Sequence, residues 1–359
     1  MAKTPTTKTA PQDEGPSSAD LLGSLLAQHK EDHYNDVIPT NVLISTGSLK
    51  LDSYVRVRSG GVVRLTAKMP ESGKTSQAFV LADNFMKTMP KSKTLYIKAE
   101  GRLSPEIQAR TGMRFVTDPT EWKPGTVFIL SSNTFETVAD FIIKLSKDMF
   151  DKKEYLCVII DSLDGLILKA DKDTKGISSG VVAGVPKLTK LLFRHLALPI
   201  THYDILLLIT GQYSADISID PYAPKVPRMG DASGGSSLPH QCDYVLSYAP
   251  RYQGDFILED DAAKPDPIKN KILGVWATVE IKKSATDTTG VKVKIPIRKG
   301  RVGSAIWVEK EVVDMALQWE MINRKGAWFS FNEGIAADAL KDGVTLKEKI
   351  QGMAAVYDY

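Results

Sequence analysis

Cysteine is scarce: the chain of 359 residues has two, Cys157 and Cys242. Neither belongs to a C-x-x-C pair or to a Cys/His cluster with metal spacing. That excludes a disulfide framework and a zinc-ribbon type of module, and both read as unpaired thiols of a reducing compartment. Long apolar runs are missing as well. Tyr155–Ile160 and Ile205–Thr210 are among the longest, and they have strand length, far short of a bilayer span. The first residues hold no apolar core of the kind a secretory signal needs. The expectation is a soluble cytoplasmic protein without a membrane partner, in the cytoplasm or nucleoid of a host cell if the source is viral. Surplus charge is scarce too. Lys and Arg number 46 against 43 Asp and Glu, a net +3. Charge alone therefore does not argue for nucleic acid, and a basic surface has to come from local clustering.

What is present falls into four stretches. Residues 1–20, rich in Thr, Pro, Ser, Lys and Asp, cannot bury a core and read as a disordered tail. Residues 21–39 read as a short helix and linker. Ser18 and Asp20 offer N-caps, and Leu21, Leu22, Leu25 and Leu26 form one apolar stripe that docks either on its own domain or on a neighbouring subunit. From residue 40 to 331 strands and helices alternate. Strands are expected at Val62–Ala67, Thr94–Lys98, Val127–Leu130, Tyr155–Ile160, Ile205–Thr210 and Tyr244–Tyr248. Helices are expected at Thr75–Met89, Pro105–Thr111, Phe135–Met149 and Val185–Leu196. Largely apolar strands alternating with amphipathic helices predict an α/β fold, with a mainly parallel central sheet covered by helices on both faces. Val275–Ile281 and Val291–Ile297, joined by a turn ending at Gly290, read as an antiparallel hairpin added at the sheet edge. A helix is expected through Lys310–Ile322, and residues 332–359 read as a short C-terminal tail.

Pro70-Glu71-Ser72-Gly73-Lys74-Thr75 lies between an expected strand and an expected helix. In that setting backbone N–H groups at the helix start face phosphates, Lys74 neutralises their outer oxygens, and Thr75 ligates Mg²⁺. The motif departs from G-x-x-x-x-G-K-[ST], because Lys68 occupies the place of the first glycine. Leu156-Cys157-Val158-Ile159-Ile160-Asp161-Ser162 supplies the partner strand, whose terminal carboxylate can hold the metal's water shell. Glu100 stands where a third strand ends, placed to orient a hydrolytic water.

Taken in order, these segments resemble the RecA family of recombinases, closest in character to the RecA-like strand-exchange proteins of large phages. The resemblance is carried by Ile44-Ser45-Thr46-Gly47-Ser48-Leu49-Lys50-Leu51-Asp52, the phosphate loop shortened by one serine, and Tyr96-Ile97-Lys98-Ala99-Glu100. Val158-Ile159-Ile160-Asp161-Ser162-Leu163, Leu207-Leu208-Ile209-Thr210-Gly211-Gln212, Ser233-Gly234-Gly235 and Gly326-Ala327-Trp328-Phe329-Ser330 complete it, so that it covers roughly residues 35–331. It implies a RecA-like P-loop ATPase core with ATP and Mg²⁺ as cofactors. Catalysis falls to Glu100, Gln212 and Lys74. ATP is bound by Glu71, Ser72, Gly73, Lys74, Thr75, Ser76, Asp161 and Lys283, and the metal by Thr75 and Asp161. Lys283, or its neighbour Lys282, would reach the ATP of an adjacent subunit. Ile107 falls where the family usually stacks a tyrosine on adenine.

Two loops match the family's DNA-binding loops by position. Residues 169–184 carry Lys172 and Lys175, and residues 213–235 carry Tyr213, Lys225, Arg228, Gly234 and Gly235. The implied activity is DNA-dependent ATP hydrolysis coupled to homologous pairing and strand exchange by a helical filament on DNA. The implied partners are single- and double-stranded DNA, further copies of the chain, and single-strand-binding and mediator proteins. Two other readings share parts of the pattern: a ring-forming motor with the same fold, and a DNA-coating scaffold with weak or no ATP turnover.

Overall fold

The computed structural model describes residues 17–30, 32–69, 72–100, 103–173, 184–215, 229–232, 238–259, 264–266, 268–300 and 303–359. The chain divides into two compact units, Met1–Ile38 and Pro39–Tyr359. In the first, α1 (Ser18–Gln28) starts at a reciprocal capping box. Ser17 accepts from the backbone of Asp20, and the Asp20 side chain accepts from the backbone of Ser17.

The second unit opens with β1 (Leu43–Ile44), α2 (Leu49–Asp52), β2 (Val57–Arg58) and β3 (Val62–Ala67), followed by α3 (Lys74–Thr88), β4 (Ser92–Lys98) and α4 (Pro105–Thr111). Next come β5 (Arg114–Val116), β6 (Thr126–Leu130), α5 (Phe135–Asp151), β7 (Tyr155–Asp161), α6 (Lys169–Asp173) and α7 (Gly184–His202). β8 (Leu206–Ala215), β9 (Met229–Ala232), α8 (Leu238–Gln241), β10 (Tyr244–Tyr248), β11 (Phe256–Leu258), β12 (Ile272–Lys283) and β13 (Lys292–Arg298) complete the main sheet. The last part holds α9 (Val308–Gln318), β14 (Ile322–Lys325), β15 (Trp328–Phe331), α10 (Glu333–Lys341), β16 (Ile350–Gln351) and α11 (Met353–Asp358).

Seven strands run parallel in the order β10-β3-β8-β7-β4-β6-β5, and β12 closes the β10 edge antiparallel, with β11 and β13 beside it. Alternation within each strand sends side chains to two cores. Val63, Leu65, Cys157, Ile159, Leu206 and Leu208 pack with Ala78, Phe79, Leu81, Ala82 and Phe85 of α3 on one face. Val62, Leu156, Val158, Ile160, Leu207 and Ile209 pack with α5 and α7 on the other, through Phe135, Val138, Ile142, Leu192, Phe193 and Leu196. The expected α/β architecture is therefore present: a large, mostly parallel sheet, helices on both faces, and the β12–β13 hairpin. Among the described residues no helix is long and apolar enough to cross a membrane. Cys157 and Cys242 are buried free thiols; burial raises both, Cys242 to about 12.

Two expectations change at the C-terminal end. The helix expected through Lys310–Ile322 stops at Gln318. Glu320 adopts a positive φ of 58°, the Met321 N–H closes back on the Ala316 carbonyl at 2.8 Å, and Ile322 starts a strand. Residues 332–359, expected to be a tail, supply α10, β16 and α11. β16 adds to β15 as the third strand of a small sheet, and Ile350 and Val356 pack with Val313, Ile322 and Phe329 in a separate core.

The segment Ser45–Asp52 is a hydrogen-bonded staple. Glu311 of α9 is fully buried and accepts from the Ser48 hydroxyl at 2.6 Å and the Leu49 N–H at 2.8 Å. Glu311→Ala leaves the buried Ser48 hydroxyl and the part-buried Leu49 N–H without that partner, and a buried group so orphaned costs about 1–3 kcal/mol. The expected outcome in thermal unfolding is a loss of about 3 kcal/mol, and Glu311→Gln, which keeps one acceptor oxygen, should lose less.

Candidate functional site

The parallel strands deliver their C-terminal ends to one edge, where ligands of open α/β sheets bind. β3 leads through residues 68–73 into α3. Gly73 caps that helix with φ 104°, a left-handed conformation that disfavours any side chain. A Cβ there would also stand 3.0 Å from Ile297 Cδ1. At the start of α3, Lys74 directs Nζ to the carbonyl of Gly211 at 3.2 Å, and the Thr75 hydroxyl lies 3.3 Å from Asp161 Oδ2. Burial depresses the Lys74 pKa, while the charges of Asp161, Asp164 and Glu100 oppose that effect.

Asp161, the last residue of β7, is bracketed by the neighbouring strands. The Tyr96 hydroxyl of β4 donates to Oδ2 at 2.9 Å, and the Thr210 hydroxyl of β8 donates to Oδ1 at 2.6 Å. Burial first, then the charge of Asp161 and the hydrogen bond to it, keep the Tyr96 phenol far above its ordinary pKa.

Glu100 is tied to the same strand end, since its N–H and that of Ala99 both donate to the Asp161 carbonyl, at 3.2 and 3.0 Å. Its carboxylate accepts from the Ser162 hydroxyl and, at 3.4 Å, from the Gln212 side-chain amide. The Gln212 backbone N–H donates to Asp164 at 2.8 Å. Gly165 makes room for this arrangement: a Cβ there would meet Glu100 Cβ at 2.7 Å and the Ala99 carbonyl oxygen at 2.8 Å.

Ser72, Gly73, Lys74, Thr75, Ser76, Glu100, Asp161 and Gln212 thus line one cleft of about 760 Å³. Ile107 lines it too, at the place where the resemblance implies an adenine contact. Sequence reading missed Tyr96, Ser162, Thr210 and Arg251, which share the cleft. Arg251 lies just beyond β10, and its Nη2 stands 3.8 Å from where a Gly73 Cβ would be.

Other expected residues lie elsewhere. Lys283 does not line the cleft of its own chain; its ammonium donates to the carbonyls of Pro239 and His240, both at 2.9 Å. Lys172 donates to the Thr134 hydroxyl at 3.3 Å. Tyr213 turns its hydroxyl back to the sheet, where it accepts from Thr66 at 3.0 Å. Glu71, Lys175, Lys225, Arg228, Gly234 and Gly235 lie outside the described residues.

The cleft's donors are a hydroxyl and a carboxylate, a hard oxygen set suited to Mg²⁺ carried in by phosphates. Among the described residues no three His, Cys, Asp or Glu gather as a metal-holding group. A cation at the head of a helix, that oxygen pair and a separate water-facing carboxylate together suit binding and hydrolysis of a phosphoanhydride. No protein-family model matches the chain, and no curated protein matches it.

Proposed function

We propose that the chain is an ATP-dependent DNA recombinase with a RecA-like core, forming filaments on single-stranded DNA and promoting homologous pairing and strand exchange. One observation carries the reading. The ends of β4 and β7, the stretch of β8 beside them and the start of α3 bring Glu100, Asp161, Gln212, Lys74 and Thr75 into a single cleft, in the order in which the resemblance assigns their roles.

In this reading Lys74 holds the outer phosphate oxygens, and Thr75 and Asp161 hold Mg²⁺. The metal, when bound, neutralises charge on the phosphates. Glu100 orients the attacking water. Gln212 bonds Glu100 at the point where β8 continues beyond the sheet and pairs with β9. A γ-phosphate that draws Gln212 away would therefore act on the loop between these strands, which is the physical basis for coupling ATP to DNA. Lys283, whose ammonium would have to leave the Pro239 and His240 carbonyls of α8, or its neighbour Lys282, is the candidate cation for the ATP of an adjacent subunit.

The scaffold reading draws support from the same contacts, because Ser162 and Gln212 already occupy the Glu100 carboxylate. The deciding experiment measures ATP hydrolysis with and without single-stranded DNA, together with electron microscopy of the complexes. DNA-stimulated turnover on helical filaments supports the recombinase. Closed rings would replace it with a motor, and ATP-dependent DNA binding without turnover would replace it with a scaffold.

Gly165→Ala offers a separate check on the carboxylate. Its added methyl must push Glu100 or the Ala99 backbone aside. The expected result is a kcat lowered on the order of tenfold, with ATP affinity little changed, because displacing a catalytic group by a fraction of an ångström costs rate before binding.

A further inference from the structure

We propose that Tyr96 is a positioning residue for Asp161, whose phenol fixes the carboxylate toward the Thr75 hydroxyl and thereby sets the site's affinity for Mg²⁺ on a nucleoside triphosphate. The inference rests on the nucleotide reading above and assigns a role to a residue outside the phosphate loop and outside the catalytic set.

Tyr96 is 2% exposed, in the middle of the apolar strand β4. Its ring centroid lies 5.2 Å from that of Phe79, and Phe79 in turn meets Phe115 edge-on at 5.5 Å. A ring clamped in this way carries its hydroxyl to one place, and that place is Asp161 Oδ2. Phenylalanine would fill the same volume, so packing alone does not call for the oxygen. Once present, a buried phenol needs a partner.

Geometry then separates Asp161's three donors. Tyr96 and Thr210 approach from strands on opposite sides of β7, each on its own oxygen, at 2.9 and 2.6 Å. Together they fix both position and plane of the carboxylate. Thr75 lies 3.3 and 3.4 Å from the two oxygens, a longer contact shared between them. It is the contact with room to change when the hydroxyl oxygen is given to a cation. Asp161 is held by the sheet on two sides and left open on the third, and partners of this kind govern metal affinity through the ligand they orient.

The test measures binding of a fluorescent, non-hydrolysable ATP analogue by the full chain as Mg²⁺ is raised, and again in EDTA. Tyr96→Phe is compared with wild type, with melting temperature as the check on folding. Thr210→Val, which unlocks the other oxygen, is the second variant. The expected result is a Mg²⁺ concentration for half-maximal binding raised about tenfold in each variant. Affinity in EDTA should stay within about twofold, a split that a purely structural role would not produce. A Mg²⁺ requirement unchanged in both variants overturns the proposal while leaving the nucleotide reading intact. Wild-type binding that is absent, or indifferent to Mg²⁺, overturns both.

Discussion

Glu100→Gln is expected to lower ATP turnover by roughly a thousandfold while leaving ATP affinity within about twofold of wild type. The substitution is isosteric, and what fixes residue 100 is main chain: its N–H and that of Ala99 bond the Asp161 carbonyl. The strand end therefore stays in place. The Ser162 hydroxyl still finds an acceptor oxygen, and Gln212 keeps a neighbour of the same size. What disappears is the negative charge that orients a water and takes up its proton, an effect worth about 10²–10⁴ in rate. Binding should be spared, since Glu100 is one of the three carboxylates whose charge acts on Lys74, and removing it leaves the cation in place. Steady-state hydrolysis and equilibrium binding of a fluorescent ATP analogue separate the two effects. Equal losses in both would make Glu100 a nucleotide-holding group rather than a catalytic one.

The large elements were legible in the sequence because local signals agreed with tertiary packing. α4 has the expected bounds: Ser104 caps it, Pro105 opens it, and Gly112 closes it with φ 72°. β10 likewise has the expected bounds, and α3 and β7 are shifted or extended by one residue. The misses are of two kinds. β5, β9 and β11 have three or four residues each, too few for alternation to register. β14, β15 and β16 draw their order from a small core with α9 and α11, and such long-range contacts leave no local pattern.

The candidate site divides in the same way. Lys74, Glu100 and Asp161 stand at strand or helix ends, and Gln212 stands where the apolar run of β8 stops, so that in each case a polar residue interrupts an apolar run and is visible. Tyr96 and Thr210 lie inside apolar strands, where an aromatic or β-branched residue reads as core. The available signal was a hydroxyl-bearing residue in each strand flanking the one that ends in Asp161, but it needs the strand order β8-β7-β4 before it means anything. Arg251 reaches Gly73 only because β10 lies beside β3.

Lys74→Ala is expected to weaken ATP binding by at least about a hundredfold, for a reason that goes beyond a lost contact. Asp161, Asp164 and Glu100 all act electrostatically on the Lys74 ammonium, which is partly withdrawn from water. Alanine leaves these carboxylates facing a triphosphate without the cation that separates them. Removing one partner of a desolvated charge pair costs about 2–5 kcal/mol, most of it from the charge left unpaired. Lys74→Arg restores the charge, but its planar fork does not fit where a single Nζ meets the Gly211 carbonyl, so it should recover only part of the affinity. Titration of the fluorescent ATP analogue, with melting curves to check the fold, measures both variants. If Lys74→Ala binds ATP as wild type does, the phosphate cation of this shortened loop is not Lys74. Arg251, whose guanidinium stands over Gly73, becomes the residue to replace next.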